Sequence, residues 1–163
     1  MKDTLLLGIG DYGSSNVPGE TVKTLALGSC VAVILLHPKA RAVGMIHVAL
    51  PESKIDPEKG KLKPGYFADT GIPALIEQMK AKGCNGSNKD FIVKLVGGAC
   101  VMDPNNTFNI GKRNLVAIKN TLWSLGMGAV GEDTGSNISR TVDVDVDRGR
   151  VTIYTAGRKN RTI

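Results

Sequence analysis

Two β-prone apolar runs, Cys30-Val-Ala-Val-Ile-Leu-Leu36 and Ala42-Val-Gly-Met-Ile-His-Val-Ala-Leu50, stand on either side of His37-Pro-Lys-Ala-Arg41. Branched aliphatic side chains suit a pleated, half-buried surface, and proline beside charged residues suits a turn. The pattern predicts an antiparallel hairpin. With the turn centred on Pro38-Lys39, paired positions sum to 77 and Cys30 faces His47. Directly opposed residues of such a pair hold their Cβ atoms about 4.5–5.5 Å apart on one face. A two-residue type I turn matches strand twist poorly, so a bulge at Gly44 is the alternative, and a one-residue slip would send the two side chains to opposite faces.

That register matters because an isolated thiol is only ~3% thiolate at neutral pH. A neighbouring imidazolium stabilises the anion, and the same ring can return a proton to a leaving amine. Gly28 and Ser29, just before Cys30, allow a tight turn that aims backbone N–H groups at a developing oxyanion. The structural alternative is that Cys30 is a core thiol and His47 a satisfied strand histidine.

The rest of the chain reads as one domain, residues 1–163, with 42% hydrophobic content sufficient for a single core. Thr4 to Ile9 and Thr21 to Leu27 read as strands, with a loop over Ser14 to Gly19. Pro51 to Gly65, with three prolines and two glycines, reads as an exposed loop, its lysines solvated. Ile72, Leu75, Ile76 and Met79 have helical spacing, with Pro73 in the first turn and Gly83 as the stop. Phe91 to Val96 is a strand, Leu115, Ile118, Leu122 and Leu125 mark a second helix, and Met127 to Gly131 suits a further strand. Val142, Val144 and Val146 alternate with aspartates and lead through Arg148-Gly149 to Val151–Thr155, a terminal hairpin. Strands first, then helices among strands, favour a mixed sheet over a doubly wound one.

Several classes fall away. Met1-Lys2-Asp3 and the short run Leu5 to Leu7 are too brief for a leader, and Cys30 to Leu36 is far shorter than the roughly 20 residues of a membrane-spanning helix, so a cytoplasmic location is expected. Cys30, Cys84 and Cys100 form no CxxC pair and leave one over, against a disulfide framework or a zinc site. A net charge of +6 attracts acidic partners, but 4% aromatic content and scattered cations offer no stacking platform for nucleic acid.

Leu27-Gly-Ser-Cys-Val31 followed by His47-Val-Ala-Leu-Pro51 resembles the paired active-site signature of the chemoreceptor glutamine deamidases, the CheD family. The likeness continues in order through Gly8-Ile-Gly-Asp-Tyr12, Lys94-Leu-Val-Gly-Gly-Ala99, Asn109-Ile-Gly-Lys-Arg-Asn114 and Glu132-Asp-Thr-Gly135. Asp133-Thr-Gly-Ser136 departs from the glycine pair of many relatives by carrying Ser136. The resemblance implies an α/β sandwich of mixed sheets flanked by helices, similar to the catalytic domain of a deamidating bacterial toxin. It implies an enzyme in which Cys30 and His47 are assisted by Thr24, acting on glutamines of chemoreceptor cytoplasmic helices without a metal or organic cofactor. A CheC-type chemotaxis phosphatase is the implied regulator, and a non-catalytic role as its binding partner is the rival reading.

Around that centre the expected oxyanion or substrate-lining residues are Gly28, Ser29, Arg113 and Asn114. Helix capping is the structural alternative for Asn109 to Asn114. Gly97-Gly98 reads as a close-packing or turn feature, since no phosphate-loop pattern follows. His37 is expected to be exposed in the turn, and Cys84 and Cys100 to be structural thiols.

Overall fold

The computed structural model describes residues 3–100 and 108–163; Met1 and Lys2, with which the leader argument begins, lie outside them. The strands in chain order are β1 (Thr4–Leu7), β2 (Tyr12–Ser15), β3 (Thr21–Leu27), β4 (Val31–His37) and β5 (Ala42–Val48). Helices α1 (Pro57–Leu62) and α2 (Ala68–Lys80) come next, then β6 (Ile92–Gly97) and helix α3 (Ile110–Ser124). The chain closes with β7 (Ala129–Thr134), β8 (Arg140–Asp145), β9 (Val151–Tyr154) and β10 (Arg161–Thr162).

These strands build two sheets, β1-β3-β8-β9-β10 and β2-β5-β4-β6-β7. Both are mixed, because β1 runs parallel to β3 and β6 parallel to β7 while the other pairs are antiparallel. One core fills the space between the sheets, with Ala32, Ile34, Met45 and Val96 meeting Val22, Val142, Val144 and Ile153. A second core lies on the other face of the β2-β5-β4-β6-β7 sheet, where Val33, Leu35 and Ile46 meet Ile72, Leu75 and Met79 of α2 and Ile118 and Leu122 of α3. Strands β4 and β5 are buried along their whole length for this reason: each is covered on both faces. The expected α/β sandwich flanked by helices is the observed architecture. No helix among the described residues is long and apolar enough to cross a membrane.

The central hairpin forms, with a different register. Ala32 pairs with His47 and Val31 with Val48, so paired positions sum to 79 rather than 77. The turn is a 3-10 segment, Pro38–Ala40, closed by Arg41 at φ 50°, and this longer connection moves the pairing by two positions. A shift of two preserves the face of every side chain. No bulge occurs at Gly44, which pairs with Leu35. A Cβ there would lie 2.6 Å from Met79 Sδ and 2.9 Å from Leu75 Cδ1, so the glycine lets α2 approach β5.

Other expectations are corrected. Ser14 and Ser15 lie in β2, paired with Gly44 and Val43, not in a loop. Pro51 to Gly65 is structured: it contains the 3-10 turns Ser53–Ile55 and, from Pro64, Pro64–Tyr66, with α1 between them capped by Asp56 accepting from the Lys59 N–H at 3.2 Å. Helix α2 begins at Ala68, which puts Pro73 inside the helix rather than in its first turn. Asn109 to Asn114 is not a segment before a helix but the start of α3 itself. His37 is buried, 2% exposed, with Nδ1 accepting from the Ala40 N–H at 3.2 Å and its ring edge-on to Phe91. Strand β10, unanticipated, pairs with β9.

Candidate active site

Cys30 sits immediately before β4. Continuing the strand alternation back from Ala32, the partner of His47, places Cys30 on the His47 face, one diagonal step along the hairpin. That face looks into the inter-sheet core, and Cys30 packs half-buried against its edge. The opposite sheet supplies Thr24, fully buried, at the point where β3 loses register with β8 between Thr24 and Leu27.

Thr24 Oγ1 lies 2.6 Å from His47 Nδ1 and donates its own proton to the Leu7 carbonyl at 2.8 Å. A hydroxyl has one proton, so Thr24 accepts from Nδ1–H. This fixes the tautomer of His47 and leaves Nε2 as the basic nitrogen. Nε2 is buried and has no hydrogen-bond partner among the described residues, so its lone pair is free of them. Burial lowers the His47 pKa to about 4, with Asp11 opposing and Lys63 adding to that shift. Burial likewise pushes the Cys30 thiol above its ordinary value, offset in part by the backbone N–H of Cys30 itself. Both groups therefore rest neutral. Burial favours the neutral form of both the ring and the thiol over the imidazolium expected next to the sulfur.

The backbone before the cysteine is held from behind at three successive carbonyls. Gly28 O accepts from the Ala99 N–H at 2.8 Å, Ser29 O from Asn114 Nδ2 at 3.0 Å, and Cys30 O from the Gly98 N–H at 2.9 Å. Gly97, at φ 115°, pairs with Val31, and a Cβ on it would overlap the Cys30 carbonyl. The Gly97-Gly98 pair is thus a close-approach feature, as its composition suggested. The Gly98 and Ala99 carbonyls press on Gly111 of α3, where a Cβ would lie 2.5 Å and 2.6 Å from them. Behind this segment, Gly135 N–H donates to Gly97 O at 2.9 Å and Cys100 N–H to Ser136 O at 3.0 Å. Asp133 anchors the same loop through Arg140 and Arg161, and these cations hold its carboxyl below the usual range.

The anticipated residues divide. Thr24 meets His47, and Cys30 lies on the same face of the hairpin as His47. Gly28 and Ser29 belong to the turn at the sulfur, and a Cβ on Gly28 would meet nothing within 4 Å among the described residues. Asn114 is completely buried with both amide protons committed to Ser29 O and Ala49 O. Arg113 is exposed and lines a groove of about 260 Å³ with Pro51, Glu52, Lys112 and Val116. Lys63 leaves the expected solvated lysine group to pair with Asp11 at 3.3 Å. Cys84 is a core thiol, while Cys100 is half-buried with Sγ 3.6 Å from Ser136 O.

Asp11 and Lys63 escaped sequence reasoning as neighbours of the ring. The Gly8–Tyr12 block was the available signal: Gly10 N–H donates to His47 O at 2.8 Å, and His47 N–H to Asp11 O at 3.0 Å.

Residues 49–155 match the sequence model of the CheD chemotactic sensory transduction family. A relative from Syntrophotalea carbinolica, named probable chemoreceptor glutamine deamidase CheD, is 55% identical over 94% of this chain and 95% of its own. The chain belongs to the CheD family. Another CheD relative, from Solibacter usitatus, is 38% identical over 99% of this chain and 94% of its own. The Thermotoga maritima relative, named chemoreceptor glutamine deamidase CheD, is 38% identical over 93% of this chain and 92% of its own.

Proposed function

We propose that residues 1–163 form a single cytoplasmic CheD domain that deamidates glutamines on the cytoplasmic helices of chemoreceptors. The observation that carries this reading is the Thr24–His47 hydrogen bond. It leaves His47 Nε2 unpartnered among the described residues, on the face of the hairpin that also holds Cys30. The names of the CheD relatives supply the substrate class.

The chemistry follows from the tautomer. The Cys30 thiol proton passes to His47 Nε2 as Sγ bonds to the glutamine Cδ, and the carbonyl electron pair moves onto oxygen. Collapse of that adduct expels the amide nitrogen, which takes the His47 proton and leaves as ammonia. The resulting thioester is attacked by water, whose proton goes to Nε2, and Cys30 recovers its proton as glutamate departs. Burial keeps His47 unprotonated at ordinary pH, so Nε2 is available to accept the thiol proton. A CheC-type phosphatase as regulator completes the reading and rests on the family resemblance.

The decisive experiment is mass spectrometry of a chemoreceptor incubated with the protein. Wild type should add one dalton per converted glutamine and release ammonia, and Cys30→Ala should do neither. Conversion by Cys30→Ala would remove Cys30 from the mechanism. Binding of the phosphatase with no conversion by wild type would favour the non-catalytic partner role.

A further inference from the structure

We infer that Asn114 is a positioning residue that aims the backbone N–H of Cys30 at the oxyanion of the reaction. The inference rests on the deamidase reading above.

The argument begins with one peptide plane. In a trans peptide the C=O of one residue and the N–H of the next point in opposite directions, and no cis bond is present among the described residues. The carbonyl of Ser29 points at Asn114 Nδ2, 3.0 Å away. The N–H of Cys30, in the same plane, therefore points away from α3. It also lies beside the sulfur, since this N–H lowers the thiol pKa against the larger effect of burial. Attack by Sγ creates the negative oxygen two bonds from that sulfur, within the field of this N–H.

Asn114 is built to hold the plane. It is completely buried, and its second amide proton donates to the Ala49 carbonyl at 3.1 Å, two residues beyond His47. With both protons on carbonyl oxygens, a flipped amide would set oxygen against oxygen, so the orientation is fixed. One side chain thereby ties the segment carrying the nucleophile to the strand carrying the base. Gly98 and Ala99 hold the flanking carbonyls of Cys30 and Gly28 but cannot orient the Ser29–Cys30 plane. Asn114 touches no reacting atom and acts through that plane.

The test separates aiming from mere support. Iodoacetamide reacts with the Cys30 sulfur without forming an oxyanion, and its product can be read on the Cys30 peptide by mass spectrometry. Asn114→Ala should lower kcat for receptor deamidation about 100-fold with KM within threefold, and Cys30 alkylation should remain within threefold of wild type. Asn114→Asp preserves shape, and its buried carboxyl donates one hydrogen bond only when protonated, so its kcat should rise as pH falls from 8 to 6, a range over which wild type should stay level. Ile118→Val, a packing change on the same helix, should leave both rates near wild type. The inference is overturned if kcat and alkylation fall together, which marks a structural role, or if neither changes. Wild-type protein that converts no glutamine sinks the deamidase reading itself. An active wild type matched by active Asn114 variants sinks only the assignment of Asn114.

Discussion

Thr24 and His47 belong to different sheets and meet Oγ1 to Nδ1 at 2.6 Å across the inter-sheet core. The bond couples the packing of the sandwich to the state of the ring, because it chooses which imidazole nitrogen is free.

Removing the hydroxyl should therefore damage turnover rather than binding. Thr24→Val retains shape but frees the ring to adopt either tautomer, and we expect kcat to fall roughly 10- to 100-fold with little change in KM. Thr24→Ser, which retains the oxygen, should recover most of the rate. Steady-state deamidation kinetics of the two variants check this, and equal losses in both would remove the hydroxyl from the mechanism.

The acid limb of kcat/KM should lie near pH 4, because the base of the free protein loses its proton at about that value. An unburied histidine would give a limb near pH 6.5. The same shift predicts acid sensitivity. Between about pH 6.5 and 4 the unfolded chain binds a proton that folded His47 refuses, so stability present above 6.5 is lost as pH falls toward 4. The loss is on the order of 3 kcal/mol. Urea midpoints from pH 7 to 4 should show it, and His47→Gln should flatten the slope.

Ser136 carries φ 62°, a left-handed conformation that an L side chain resists. Ser136→Gly should raise stability by about 0.5–1 kcal/mol, measured as a higher denaturation midpoint, without changing turnover.

Gly97→Ala should be severe, since φ 115° and the Cys30 carbonyl both oppose a Cβ. Roughly 3 kcal/mol of stability should be lost together with activity. Normal turnover in that variant would show that the segment can shift without disturbing the sulfur.

Much of the candidate site was legible because Cys30 and His47 sit in apolar runs joined by an evident turn. Alternation alone placed Cys30 and His47 on one face, and the error of two in register kept that face but moved Cys30 from directly opposite His47 to the diagonal position. What sequence could not provide was the turn conformation: Arg41 at φ 50° is not a residue that announces a left-handed position. Ser136 shows the converse, where a departure from an expected glycine marked a position that does adopt positive φ. The burial of His37 and the Asp11–Lys63 pair were hidden because each depends on segments distant in the chain, Phe91 in one case and the Lys63–Tyr66 turn in the other. Pro51 to Gly65 looked loose since prolines and charges mask short helical turns whose contacts are tertiary, such as Tyr66 O receiving the Ala49 and Leu50 N–H groups at 3.0 Å.

The Thr24–His47 contact also sets an order of events. A chain that has assembled only one of its sheets already owns either the thiol and the ring or the orienting hydroxyl, but never all three. On the proposed mechanism, docking of the two layers brings the ring against the hydroxyl that fixes its tautomer, so full reactivity waits on the complete sandwich.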